Sequence, residues 1–337
     1  MLQDGQCLAL PCLCPHPLQS LDAAGGEPPP AAPLQAGEGD ILMMFDASWY
    51  VADPWPAVDA LLHKGVRLCG MLHDLLPLDR PEWFRPGLQP LFSAHFQALV
   101  QRAERLFVPS MVVRERLVER LRGIRPELPV DLLPHGGDFH TVREIPDDHP
   151  QLRSLPAPSS PASPLYLVLG TLEPRKNHER VLDAFDRLWA QGFAGRLLFV
   201  GQVGWQVDEL LQRIECHPRL GSQLFHASRL SDPALYWLLG KVAGLIYLSR
   251  DEGFGLPVLE AAMRGCPVIA SDIPVLREVG GSWARYVGPD DTQGLVQAVS
   301  ALSSAPPQYR PQRTWSDVAL RLADCLAMPG SAAHVIP

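Results

Sequence analysis

An α/β fold built from two Rossmann-like units is what this sequence predicts, and three observations predict it. Short apolar, β-favouring runs alternate with helical stretches along most of the chain, the pattern of parallel sheets covered on both faces. A proline- and serine-rich segment over 144–164 divides that alternation into two halves, as a linker would. Glycine-rich turns between strand and helix occur at 170–177 and 251–261, the places where such sheets bind ligands, at the carboxyl ends of their strands.

The lead, residues 1–39, is crowded with proline and glycine and cannot build a core; only Leu8-Ala9-Leu10 has strand character there. The first unit is expected over 40–143. Ile41–Phe45 reads as a buried strand, Pro56–Lys64 as a helix stopped by Gly65, and Val66–Leu72 as a second strand. Glu82–Ala103 is mostly helical, with Pro86 and Pro90 at its start or breaking it. Leu106–Val108 is a strand, Ser110 caps a helix over Met111–Arg122, and Val130–Leu133 is a strand before the turn His135-Gly136-Gly137-Asp138.

The linker carries Pro146, Pro150, Pro156, Pro158, Pro161 and Pro164. The second unit, expected over 165–305, has a cleaner alternation. Its strands are predicted at Leu165–Leu169, Leu197–Val200, Gln223–His226, Gly244–Leu248, Pro267–Ala270 and Arg285–Val287. Between them, Asn177 caps a helix whose stripe is Val181, Leu182, Phe185, Leu188 and Trp189, ended by Gly192. Further helices fall at Gln206–Cys216, from the cap pair Asp232-Pro233 to Val242, at Pro257–Arg264, Val275–Val279 and Thr292–Leu302. The closing segment, 306–337, holds one more helix opened by Trp315.

Composition narrows the function. With 337 residues there is room for two ordinary domains, and 47% hydrophobic content is that of a globular protein. A formal charge of -8 and a pI near 5.8 exclude the broad basic face of a general nucleic-acid binder. No run reaches the roughly 18 apolar residues that span a bilayer, and the N-terminus lacks the Lys/Arg-led apolar core of a signal peptide; a cytoplasmic protein is expected. Seven cysteines, an odd number at irregular spacing, suit free thiols in a reducing compartment. Cys7, Cys12, Cys14 and His16 have no second ligand pair, so no metal site is expected.

The chemistry concentrates in the glycine turns. Gly253 and Gly255 allow close backbone approach, and the amides of Phe254, Gly255 and Leu256 fall at a helix N-terminus, where anions bind. Glu252 and Glu260 flank that position, with seven residues between them. Arg175 and Lys176 follow the end of the Leu165–Leu169 strand, as fixed cations suited to a phosphate. Gly170 opens that loop, Gly201 ends the next strand, and Ser249 and Arg250 precede the main turn. His73, followed by Asp74, ends a strand of the first unit. Each has a plainer alternative: surface charges at helix starts, a turn glutamate, a structural histidine. Arg114, Arg116, Arg120 and Arg122 give the 111–122 helix a basic face, either solvated or laid on an anionic membrane.

The wording of these turns resembles a known family. Glu252-x7-Glu260 within Glu-Gly-Phe-Gly-Leu-Pro, preceded by Gly170-x4-Arg175-Lys176-Asn177, is similar to retaining glycosyltransferases of the GT-B fold, family 4. The resemblance implies two Rossmann-like domains facing across a cleft. The first is apparently shortened here, since no opening strand and glycine loop precede Ile41. It implies that Glu260 binds the ribose of a nucleotide-sugar, that Glu252 lies near the sugar or pyrophosphate, that Arg175 and Lys176 neutralise the leaving diphosphate, and that His73 meets the sugar. No cofactor or metal is implied. His73-Asp74-Leu75-Leu76-Pro77-Leu78, followed by Pro81-Glu82-Trp83-Phe84, looks most like bacterial mannosyl- or rhamnosyltransferases. GDP-mannose is the expected donor, and a glycan or lipid-linked glycan at the inner membrane the expected acceptor. The alternatives are a synthase or phosphorylase of the same scaffold, a glycosidase-like carboxylate pair, and a non-catalytic nucleotide-sugar-binding protein.

Overall fold

The computed structural model describes residues 2–3, 6–7, 36–45, 53–138, 145–302 and 312–327. The chain starts with an antiparallel pair, β1 (Leu2–Gln3) and β2 (Gln6–Cys7). The strand expected at Leu8–Leu10 lies outside the described residues. There follow β3 (Ile41–Met44), α1 (Trp55–Leu62), β4 (Arg67–Met71), α2 (Leu76–Asp79), α3 (Leu88–Arg102), β5 (Arg105–Val108), α4 (Met111–Leu121) and β6 (Val130–Leu132). The four strands β3 to β6 pair in sequence order, all parallel.

The mostly helical stretch expected over 82–103 is broken near Pro86 into a 3-10 turn and α3, with the short helix α2 just before it. Pro77 opens α2, Pro81–Trp83 makes a 3-10 turn, and Gly87, at φ 87°, introduces α3. Pro90 falls in the first turn of α3, where its missing N–H breaks no bond.

The second sheet uses β7 (Leu165–Leu169), α5 (His178–Ala190), β8 (Arg196–Val200), α6 (Asp208–Glu215), β9 (Leu224–Ala227), α7 (Asp232–Leu239), β10 (Gly244–Tyr247), α8 (Leu256–Arg264), β11 (Val268–Ser271), α9 (Pro274–Gly280), β12 (Ala284–Val287) and α10 (Thr292–Ser300). Its six parallel strands run β12-β11-β10-β7-β8-β9. Strand order reverses between β7 and β10, so the crevice for a ligand opens at their carboxyl ends. The loops after those two strands are the two signature loops.

Apolar side chains cover both faces of this sheet. Val181, Leu182, Phe185 and Leu188 of α5 are buried with Leu197 and Phe199 on one face; Val258, Leu259 and Ala262 of α8 join Leu245 and Tyr247 on the other. Each of the buried valine, leucine and phenylalanine side chains contributes about 1.5–3 kcal/mol. Two caps differ from expectation. Ser231, not Asp232, caps α7, accepting from the Ala234 amide. Asn177 begins α5 in the left-handed region, φ 59°, but its side chain makes no cap: it donates to the Pro289 carbonyl and accepts from Arg250.

A last helix, α11 (Trp315–Ala327), packs Val318, Leu322, Cys325 and Leu326 on Ile41, Cys69, Met71, Phe107 and Leu133 of the first sheet. The chain thus returns from the second sheet to the first. The two units also touch directly. Ser110, while capping α4, donates its hydroxyl to the Gly253 carbonyl at 2.7 Å. Glu278 of α9 accepts from the Met111 amide. On a separate contact, Trp205 donates to the Trp83 carbonyl at 2.7 Å and stacks on Phe84.

Candidate functional site

The loop after β7 and the loop after β10 meet in one buried cluster of charge. The Pro174–Lys176 turn puts Arg175 and Lys176 side by side, each 13% exposed. Glu252 accepts from both: Oε2 from Arg175 at 2.5 Å and Oε1 from Lys176 at 2.6 Å. Tyr247, the last residue of β10, closes a triangle. Its hydroxyl accepts from Lys176 at 2.6 Å and donates to Glu252 Oε1 at 2.8 Å. Arg175 also donates to Glu173 at 2.7 Å and to the Asp251 carbonyl at 3.1 Å.

The cations therefore have counter-ions before any ligand arrives. The expectation of two fixed cations, with Glu252 near a sugar or pyrophosphate, did not include this pairing of Glu252 with both of them. The reason is burial: two unpaired charges in this position would be far costlier than paired ones. Burial pushes the Glu252 carboxyl up, yet Lys176 and Arg175 outweigh it and hold it down at about 2. Both of its oxygens are committed, so it is not free to act as a nucleophile. The Arg175 Nε–H is buried with no partner among the described residues, and two partners leave the Lys176 ammonium with a third N–H. Those groups can still receive an anion.

Beside the cluster, α8 starts at Gly255, φ 98°, with no side chain capping it. Its first amides are orphan donors backed by the helix dipole, as expected for Phe254, Gly255 and Leu256. The Phe254 ring is buried and meets His135 edge-on. Gly170 lies against the Lys176 side chain, and Gly201 lies against Gly170, where an added Cβ would fall 1.9 Å from the Gly170 carbonyl oxygen. That packing of one loop on another accounts for Gly201.

Glu260 is one turn into α8 and half-buried. Burial, then the nearby Asp232 carboxylate, push its carboxyl up to about 7. Among the described residues no hydrogen bond reaches it. A half-buried acceptor without donors is what a pair of sugar hydroxyls would satisfy.

From the first unit, His73 and Asp74 lie directly on the signature turn: a Cβ on Gly253 would sit 2.0 Å from the His73 carbonyl oxygen and 3.0 Å from the Asp74 Cβ. The His73 ring, expected to reach a sugar, is otherwise engaged. Nε2 donates to the Phe45 carbonyl at 2.6 Å, and Nδ1 faces His135 Nε2 at 3.4 Å. Burial pushes the Asp74 carboxyl up while Arg175 opposes it; Asp74 also accepts from the Leu76 amide.

Sequence reasoning gave no site role to Glu173, Tyr247 or Asp251, and found Ser110 only as a cap. A tyrosine ending an apolar strand just before the main turn was the one local signal. The basic face of α4 is not free: Arg114 donates to the Val130 carbonyl, Arg116 pairs with Asp251, Arg120 with Asp79 and Arg122 with Glu119. Among the described residues no group of His, Cys, Asp and Glu could hold a metal ion, and no helix is long and apolar enough to cross a membrane.

Residues 156–314 match the model of glycosyl transferases group 1. An O-antigen chain mannosyltransferase, RfbU of Salmonella typhimurium, is 31% identical over 271 residues, covering 77% of this chain and 71% of the relative. The chain belongs to the group 1 glycosyltransferases. The serotype-specific mannosyltransferase WbdA of Escherichia coli is 34% identical over 277 residues, covering 79% of this chain; the chain spans about a third of that relative's length, 34%. The fold is shared with sucrose-phosphate synthase from Thermosynechococcus elongatus, at a TM-score of 0.62 and 21% identity over 85% of this chain and 72% of that one. The GT-B architecture of two parallel-sheet domains accounts for the fold.

Proposed function

We propose that this group 1 domain is a retaining mannosyltransferase, taking mannose from GDP-mannose to a glycan or lipid-linked glycan of a bacterial surface polysaccharide. The observation that carries the reading is the cluster of Arg175, Lys176 and Glu252 at the switch point, beside the uncapped start of α8 and the unpartnered Glu260. Relatives named as mannosyltransferases, one of them of the O-antigen chain, support the choice of sugar.

In this reading the diphosphate lies on the α8 amides and takes the free N–H groups of Arg175 and Lys176, and the ribose hydroxyls donate to Glu260. The bond from the anomeric carbon to the leaving phosphate oxygen breaks while the acceptor oxygen attacks from the same face. The acceptor's proton passes to the departing phosphate. Catalysis is then positioning and charge stabilisation. No metal enters the scheme. The acceptor would be met on the cytoplasmic side of the inner membrane.

Nucleoside diphosphate release from a panel of GDP-, UDP- and dTDP-sugars tests this, in wild type and Glu260→Ala. Release greatest with GDP-mannose, lost in the variant and indifferent to EDTA is expected. Binding without release under any acceptor would make the chain a nucleotide-sugar-binding module instead.

A further inference from the structure

Asp251 is the junction between the two units. Its Oδ2 pairs with Arg116 of α4 at 2.8 Å, with the arginine 33% and the aspartate 18% exposed. Its Oδ1 accepts from the Glu252 amide at 2.8 Å. Its carbonyl accepts from Arg175 at 3.1 Å. The same guanidinium nitrogen that meets this carbonyl also meets Glu252. A single residue thus carries one link to the first unit and two to the charge cluster.

The contact is specific to one arginine. Arg114, Arg120 and Arg122 spend their charge within the first unit, on the Val130 carbonyl, Asp79 and Glu119. Arg116 reaches across. Ser110, two turns earlier on the same helix, holds the Gly253 carbonyl two residues beyond Asp251. α4 therefore grips the turn on either side of Glu252. If the units parted, Asp251 would lose its charge partner, and the loop holding both Glu252 and Arg175 would lose its outer support.

We infer that Arg116 is a positioning residue: through Asp251 it fixes Glu252 and Arg175, so that the donor site is fully organised only while the first domain is closed on the second. The inference rests on the glycosyltransferase reading above. It assigns to the first domain a part in donor chemistry that needs no contact between Arg116 and the donor. A partly exposed ion pair contributes little to stability, so its effect should show in turnover.

The test measures GDP release from GDP-mannose, with kcat and KM separated, alongside thermal stability, for Arg116→Ala, Arg116→Lys, Asp251→Asn and the double variant Arg116→Ala/Asp251→Asn. Asp251→Asn keeps an oxygen for the Glu252 amide and removes the charge. Expected are a fall in kcat of about tenfold in Arg116→Ala with KM changed less, recovery to within about threefold in Arg116→Lys, and a double variant no slower than the slower single one. Wild-type kcat in Arg116→Ala, or fully multiplicative losses in the double variant, would overturn the inference while leaving the glycosyltransferase reading in place. A fall in Tm that tracks the loss of turnover across all four variants would overturn it too. Wild-type protein that releases no nucleoside diphosphate from any donor would overturn both.

Discussion

The carbonyl of His73 occupies the space a side chain on Gly253 would need: a Cβ there would stand 2.0 Å from the oxygen. The two residues are on different domains, and the second is inside the signature turn after β10. Gly253→Ala must therefore push the first domain away from the turn. Backbone on both sides of the clash leaves little room to give. Turnover is expected to fall by about a hundredfold, as for misplaced reacting groups. X-ray scattering should show a larger radius of gyration. Wild-type dimensions and turnover would show that the contact is incidental.

Glu252 neutralises two buried cations, so its removal should be felt first in stability. Glu252→Gln leaves Arg175 and Lys176 short of a counter-charge, at a cost of about 3 kcal/mol. A diphosphate supplies that charge. The rise in Tm on adding GDP should accordingly be larger in Glu252→Gln than in wild type. An equal or smaller rise would place the nucleotide away from the two cations. Because the folded carboxyl titrates near 2, its stabilisation is present above the ordinary glutamate value near 4.5 and is lost as pH falls from there toward 2.

Glu260 has the opposite sign. Its folded value is raised to about 7, so its contribution to stability is complete below about 4.5 and is lost as pH rises through 7. Donated hydroxyl hydrogens favour the carboxylate. GDP affinity should then climb with pH, by about tenfold between pH 6 and pH 8, following the ionised fraction of a group titrating near 7. Calorimetric titrations of Glu260→Gln subtract the part due to the phosphate itself; a slope unchanged in that variant would remove Glu260 from the nucleotide site.

Tyr247 holds the Lys176 ammonium from one side and Glu252 from the other. Tyr247→Phe keeps the ring in its core position and deletes only the hydroxyl. A stability loss of about 1 kcal/mol is expected, together with a drop of about tenfold in GDP release as Lys176 loses its fixed position. Measured together, Tm and kcat decide: a Tm change with kcat intact would make the hydroxyl purely structural.

Much of this was legible in the sequence, for reasons of range. β7 runs over Leu165–Leu169 as expected, because a strand buried on both faces is a local apolar run. The glycine at the start of α8 and the two signature loops were legible because turn chemistry is also local. The pairing of Arg175 with Glu252 was not, 77 positions apart, nor was that of Ser110 with Gly253, 143 apart. Nothing in either segment encodes its partner. The Asn177 cap failed for the same reason: Pro289 and Arg250 compete for its side chain from other loops. The short helix α2 was not anticipated, although proline fits the first turn of both α2 and the following 3-10 turn.

The central claim is that one nucleoside diphosphate is held at the end of β7 and β10 by Arg175, Lys176 and Glu260 together. A crystal structure of the protein soaked with GDP addresses it directly. The diphosphate is expected within hydrogen-bond distance of Arg175, Lys176 and the amides opening α8, with both ribose hydroxyls on Glu260. Ordered GDP seated elsewhere, with the Lys176–Glu252–Tyr247 triangle untouched and Glu260 still unpartnered, would contradict the account.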